Sequence, residues 1–207
     1  MSSGNPEKSQ IRVDLSTSNL VGNEIKESYE VHKRLLEDEA KLQTIQAVVQ
    51  ECIDVYKRGN KILVAGNGGS SADALHMGGE ILCRFKKDRP PLPIRVLTTN
   101  ISTITAIAND YGYEYIFSRQ IEAEGVPGDI FIGLTTSGKS LNIHKALEIC
   151  KNKNIMTVIL TGSQGAEISS ACDYSVIVPS HNTPRIQECH LLILHTICLG
   201  IEEAIFS

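Results

Sequence analysis

The chain contains no uninterrupted apolar segment of transmembrane length, and its polar first residues, Met1 to Asn19, hold no signal-type hydrophobic region. Those two absences argue against a spanning helix and for a cytoplasmic protein. No CxxC pair occurs among Cys52, Cys83, Cys150, Cys172, Cys189 and Cys198, and most of the six sit in apolar stretches. A reduced cysteine there behaves as a small hydrophobe, so these read as structural thiols. Nor is there a long basic run: the formal charge is −4 and the isoelectric point near 5.9. Nucleic-acid binding driven by phosphate neutralisation is thereby disfavoured. Nothing in the composition resembles a disordered or fibrous chain, and 207 residues suffice for one α/β domain with a full core.

The first 20 residues mix Ser, Asn, Gly and Pro and read as a mobile leader, leaving 21–207 as a single domain. From Val21 to Arg58 the apolar residues, among them Ile25, Tyr29, Leu35, Leu42, Ile45, Val49 and Ile53, recur at helical spacing, which predicts one or two helices ending at Gly59-Asn60. Short β-branched runs then alternate with helical patterns. Lys61–Ala65, Ile94–Leu97, Asp129–Leu134, Met156–Leu160 and Tyr174–Val178 are the strand candidates. Their near-continuous apolar character predicts a parallel five-stranded sheet covered on both faces, a doubly wound α/β/α sandwich with N-terminal helices added. The last helical stretch, Pro184 to Phe206, is apolar nearly all round, through Leu191, Leu192, Ile193, Leu194, Ile197, Leu199 and Ile201. It needs burial on several sides, at a subunit interface or as a central helix. Together with the N-terminal helices it favours an oligomer.

Two loops of small residues carry the chemistry. Gly66-Asn67-Gly68-Gly69-Ser70-Ser71 and Thr135-Thr136-Ser137-Gly138-Lys139-Ser140 each follow a strand candidate and open a helical one. Glycines allow close backbone approach, hydroxyls add donors, and the free N–H groups of the following helix carry partial positive charge, a combination suited to phosphate. In open parallel sheets ligands settle at the carboxyl ends of the strands, where both loops fall. Residues 133–140 also match G-x-x-x-x-G-K-[ST] letter for letter. A nucleotide triphosphatase needs, in addition, an acidic residue ending a neighbouring strand to hold Mg²⁺, and no strand candidate supplies one. The loop then reads as a phosphate cradle without Walker chemistry.

His76 and Glu80 are four apart and share one face of the helix that starts at the first loop. Spacing alone makes them an ordinary surface pair, and the adjoining phosphate loop raises their interest. In the last helical stretch His195 is flanked by apolar residues, where an imidazole needs a partner for at least one ring nitrogen. A satisfied core histidine is the bland alternative for His195, and for His190 equally; Glu188 reads as a solvated helix residue.

The ordered blocks Gly66-Asn67-Gly68-Gly69-Ser70, His76 with Glu80, Ala108-Asn109-Asp110, Thr135-Thr136-Ser137-Gly138 with Ser140, and Arg185-Ile186-Gln187-Glu188 with His190 and His195 make the chain, from about Ile25 to its end, resemble the SIS-domain phosphoheptose isomerases. The resemblance implies interconversion of D-sedoheptulose 7-phosphate and D-glycero-D-manno-heptose 7-phosphate for bacterial heptose synthesis, destined for lipopolysaccharide or capsule. It implies that Thr135, Thr136, Ser137 and Ser140 hold the phosphate and that Asn67, Gly68, Gly69, Ser70, Asn109, Asp110 and Gln187 contact the sugar. Glu80 and His195 are the implied base and acid. It further implies one Zn²⁺ per subunit on His76, Glu80, Gln187 and His195, and a homotetramer with active sites at subunit interfaces.

Eight residues of straight helix rise about 12 Å, so Gln187 and His195 cannot meet at one small site from a single helix. Either Gln187 precedes the helix or a second subunit contributes one of the two; a shared site is the preferred expectation. The alternative reading is the replication-initiator-binding adaptor of the same family, which resembles an isomerase that has lost its catalytic groups. A sugar-phosphate sensor is a third. Glu80 and His195 count against the adaptor, and the lack of a second, DNA-binding domain weakens the sensor.

Overall fold

The structure, a computed structural model, describes residues 19–206. The expected leader therefore lies outside the described residues, apart from Asn19 and Leu20, which open the first helix. Along the chain come α1 (Leu20–Leu36), α2 (Glu39–Lys57), β1 (Ile62–Gly66), α3 (Gly69–Leu82), β2 (Ile94–Val96), α4 (Ile101–Asp110), a 3-10 turn (Tyr113–Tyr115), α5 (Ser118–Glu124), β3 (Ile130–Thr135), α6 (Leu141–Asn152), β4 (Met156–Gly162), α7 (Ala166–Ser169), β5 (Tyr174–Val178) and α8 (Thr183–Ile205). The expected strands are all present, each within two residues of its predicted bounds.

The strands pair in parallel in the order β2-β1-β3-β4-β5. β1, β3 and β4 are buried along nearly their whole length, as a sheet with helices on both faces requires. Alternate strand residues feed two cores. Ile62, Val64, Ile130, Ile132, Val158 and Val176 pack with α2, α3 and α8, while Leu63, Ala65, Phe131 and Ile159 pack with α5 and α6. The three-layer sandwich follows from that alternation. From β1 the chain crosses to β2 on one side, and β3 lies on the other. The crevice between the ends of β1 and β3 is the switch point where such sheets bind ligands.

Most of the apolar character of α8 is used inside the chain. Ile186, Cys189, Ile193, Leu194, Ile197, Cys198 and Ile201 are all buried against the sheet and its flanking helices, so α8 is a central helix of the domain, while Leu192 is exposed and Leu191 and Leu199 are partly buried on its outer face. The exposed apolar side chains are concentrated instead on α1, at Leu20, Val21, Ile25, Tyr29 and Leu36. All six cysteines are free, and burial pushes the thiols of Cys150 and Cys198 up to about 12, which leaves them unreactive. Among the described residues no helix is long and apolar enough to cross a membrane.

Candidate active site

The two loops meet at the switch point. The Asn67 and Asn142 side chains exchange reciprocal hydrogen bonds of 2.9 Å across the β1–β3 crevice, and the Tyr113 hydroxyl donates to Asn67 Oδ1 at 3.0 Å. α3 starts after Gly68 and α6 after Ser140, and neither N-cap residue bonds the following amides through a side chain. Two helix N-termini with amides uncapped by side chains thus open at the ends of neighbouring strands, which favours an anion. Thr135 Oγ1 and Ser140 Oγ are 3.0 Å apart, and Ser137 Oγ accepts from the Lys139 amide at 3.2 Å. Gly138 has φ of +71°, and a Cβ there would stand 2.6 Å from the Gly165 backbone, so this turn needs glycine twice over. A cavity of about 460 Å³ opens beside Asn67, Tyr113, Ser140 and Asn142, and a smaller one of about 60 Å³ lies between Thr136, Ser137, Gln164, Ser180, His181 and Thr183. A cavity of about 520 Å³ at the opposite end of the sheet includes Asp173, whose carboxylate is already spent on the Thr157 amide and hydroxyl.

From these loops α3 and α8 run side by side in the same direction. Gln187 Nε2 comes to 3.5 Å from Ser70 Oγ, and a Cβ on Gly69 would collide with the Gln187 amide at 2.5 Å. Two turns further along both helices, His76 Nε2 and His195 Nε2 are 2.8 Å apart and His76 Nε2 is 3.3 Å from Glu80 Oε1. One ligand atom from each of His76, Glu80 and His195 falls within a span of 4.8 Å. Burial lowers the His195 pKa, the His76 ring lowers it further and Glu80 opposes them. The Phe85 ring lies 5.5 Å from that of His195, which is thereby held between Phe85 and His76. A carboxylate and two imidazoles converging between two packed helices can move protons or hold a divalent cation.

A SIS domain model matches residues 22–162. The chain is 56% identical over 182 residues to a phosphoheptose isomerase of Aneurinibacillus thermoaerophilus, covering 88% of this chain and 92% of that one. It is 52% identical to phosphoheptose isomerase 2 of Campylobacter jejuni, over 86% and 88% of the two chains. The chain belongs to the phosphoheptose isomerase family of SIS domains. A solved phosphoheptose isomerase from Francisella tularensis superposes with a TM-score of 0.86 at 33% identity, over 91% of this chain and 99% of that one.

Membership of the phosphoheptose isomerase family gives each expected residue a place to be compared with. Asn67, Ser140, Thr136 and Ser137 line the two cavities, and Thr135 joins Ser140. His76, Glu80 and His195 come together. Gln187 does not join them within one chain: it lies inside α8, not ahead of it, and stands at Gly69 and Ser70. Asn109 and Asp110 bond each other at 2.8 Å on the exposed end of α4 and line neither cavity. His190 is a core histidine but not a satisfied one: it is fully buried, burial depresses its pKa to about 4, and neither ring nitrogen has a hydrogen-bond partner. Glu188 is not merely solvated, because Ser28 and Arg185 each donate to it at 2.7 Å. The strands beside β3 end in Gly66 and Gly162, with no acidic residue for a Walker magnesium.

Sequence reasoning missed Asp73, Tyr113, Phe85 and the pair Gln164 and His181. Asp73 lies one turn before His76 on α3; burial pushes its carboxyl up to about 6, the nearby His76 charge opposing, and its Oδ2 is buried without a hydrogen-bond partner. Helical spacing back from His76 would have found it. Nothing local marks Phe85, Gln164 or His181, which reach the site through tertiary packing.

Proposed function

We propose that the protein interconverts D-sedoheptulose 7-phosphate and D-glycero-D-manno-heptose 7-phosphate through a cis-enediol. The carrying observation is the convergence of Glu80 and His195 at His76, on the same helix pair whose amino ends border the hydroxyl-rich loops. Thr135, Thr136, Ser137 and Ser140 hold the phosphate, which anchors the far end of the sugar and orients the reacting carbons. Asn67, Gly68, Gly69, Ser70, Asn109, Asp110 and Gln187 contact the sugar chain.

In the ketose-to-aldose direction Glu80 takes the proton from C1 while His195 gives one to the C2 carbonyl oxygen. The resulting enediol then loses a proton from the C1 hydroxyl and regains one at C2, giving the aldehyde. The Glu80 carboxylate and the His195 ring, both brought to His76, are the two groups these transfers require.

His76, Glu80 and His195 fit a zinc ion: two imidazole nitrogens and a carboxylate oxygen, close enough to share one centre, leave a position open for substrate. When bound it would supply Lewis-acid stabilisation of negative charge on the substrate oxygens. His195 has two ring nitrogens, so holding an ion through one would leave the other for proton transfer. A fourth ligand from Gln187 would have to come from a neighbouring copy, since within one helix it is two turns from His195. We therefore favour a homotetramer with shared sites, and the apolar side chains exposed on α1 supply surface for assembly. The free thiols accord with a cytoplasmic location.

The test is an NMR assay of sedoheptulose 7-phosphate in D₂O. Wild type should form the aldose and incorporate deuterium, while Glu80→Gln and His195→Ala should do neither. Full isomerisation and exchange in both variants would refute the assignment.

A further inference from the structure

Beyond the acid, the base and the phosphate loops, one buried charge near the site has no role in the reaction as derived so far. Glu202 is fully buried in the last turn of α8, and its carboxylate accepts from the amides of Phe85 at 2.9 Å and of Lys86 and Lys87 at 2.7 Å each, and from Arg89 Nε at 3.2 Å. Burial pushes this carboxyl up, and the three amides with Arg89 more than reverse it, to about 2. A buried, ionised carboxylate is costly unless its acceptors are filled, and here the donors all come from the single segment that follows α3.

That segment touches the catalytic pair twice. Phe85 presents its ring to the His195 ring at 5.5 Å. Arg89, whose side chain is 1% exposed, donates Nη2 to the Glu80 carbonyl at 2.8 Å and Nη1 to the Ile81 carbonyl at 2.9 Å, where the Leu92 amide also donates at 3.3 Å, so it ties down the end of α3. Glu202 lies seven residues after His195, two turns on along the same helical face. One carboxylate thus fixes, through two intermediaries, the wall behind the proposed acid and the helix turn that carries the proposed base.

We infer that Glu202 is a positioning residue of the active site, acting on His195 through Phe85 and on Glu80 through Arg89. Its kinetic consequence rests on the isomerase reading above. The phosphate loops lie at the other end of α3 and α8, so displacement here acts on turnover and spares binding. Near-attack geometry loses about a hundredfold for a misplacement of about 1 Å.

The variants are Glu202→Gln, which keeps the shape and replaces one acceptor by a donor, and the pair Phe85→Ala and Phe85→Leu. Glu202→Gln and Phe85→Ala should lower kcat per folded molecule ten- to a hundredfold with KM within about twofold, and Phe85→Leu should restore most of the loss. An unchanged kcat in either variant, a loss confined to KM or Tm, or a Phe85→Leu variant no better than Phe85→Ala would overturn the inference. A second readout is independent of turnover: the His195 ring cross-peak, assigned by its disappearance in His195→Gln, should move in Glu202→Gln, which retains the Phe85 ring. Arg89→Lys gives the same measurement if Glu202→Gln does not fold. A moved cross-peak together with no isomerisation by wild type would refute the isomerase reading and leave the positioning role standing; an unmoved one would refute the positioning role.

Discussion

Polar groups at the amino end of the sheet and on the α3–α8 helix pair are treated in opposite ways. At the amino end Asp129, fully buried, fills both carboxylate oxygens: Oδ1 accepts from the Lys61 amide and Asn60, and Oδ2 from the Val126 amide and from Lys61 Nζ at 2.6 Å. Burial pushes its pKa up, and these partners reverse the effect and hold it below the ordinary carboxylate value. On the helix pair Asp73 keeps a buried oxygen without a partner and rises to about 6, while two imidazoles face each other across 2.8 Å. A satisfied network rigidifies the fold, whereas groups left short of partners retain affinity for a proton, a cation or a substrate. Glu202 is the exception that sharpens the rule, a filled carboxylate placed near the unfilled ones to hold them in position.

Substitutions in the two regions should therefore separate activity from stability. The largest effect is expected on the helix pair: Glu80→Gln or His195→Ala should reduce isomerisation about a thousandfold, with Tm within a few degrees of wild type. A Tm collapse matching the loss of activity would dissolve the contrast. Asp129→Ala should do the reverse, costing about 3 kcal/mol in denaturant unfolding by leaving Lys61 and the amides unpaired, with kcat per folded molecule unchanged.

A subtler test lies in the phosphate cradle. Ser140→Ala should raise KM for the sugar phosphate about fivefold to tenfold with kcat nearly intact, because a single hydrogen bond to an anion is lost far from the reacting carbons. The smallest expected effect is at Asp73. Its folded pKa is raised, so the folded state binds the extra proton and loses stability as pH rises from 3.8 through about 6. Asp73→Asn should accordingly stabilise the protein at pH 8, by about 1 kcal/mol after solvent screening, and have no effect near pH 3. Glu202 carries the opposite sign. Its depressed pKa contributes stability above about 4.5 that is lost as pH falls toward 2, and Glu202→Gln should flatten that acid limb in a thermal-melt series.

Much of the fold was legible because the signals were local and repeated. The five strands announced themselves as short β-branched runs, and the helix starting at Gly69 followed from a glycine turn and apolar periodicity. The apolar excess of α8 was legible too, yet burial on several sides does not say whether the neighbours belong to the same chain. Here they do for the face of Ile186, Ile193, Leu194, Ile197 and Ile201, which α2, α3 and the sheet cover, while Leu192 stays exposed. The site divided in the same way. Asn67, Ser137 and Ser140 sit in turns whose chemistry is written in consecutive residues, whereas Phe85 and Glu202 are 117 residues apart and meet only through backbone amides. No periodicity marks a residue chosen for what its main chain donates.

What the sequence determined by itself is therefore the set of strands, the two anion-favouring turns and the His76 to Glu80 spacing, because each depends on residues within a few positions of one another. Only the tertiary structure decided that α8 runs alongside α3 in the same direction, which brings Gln187 to Ser70 and His195 to His76. The direction and register of two packed helices depend on how their side chains interlock across the whole interface, and that is a property of the assembled core, not of either segment.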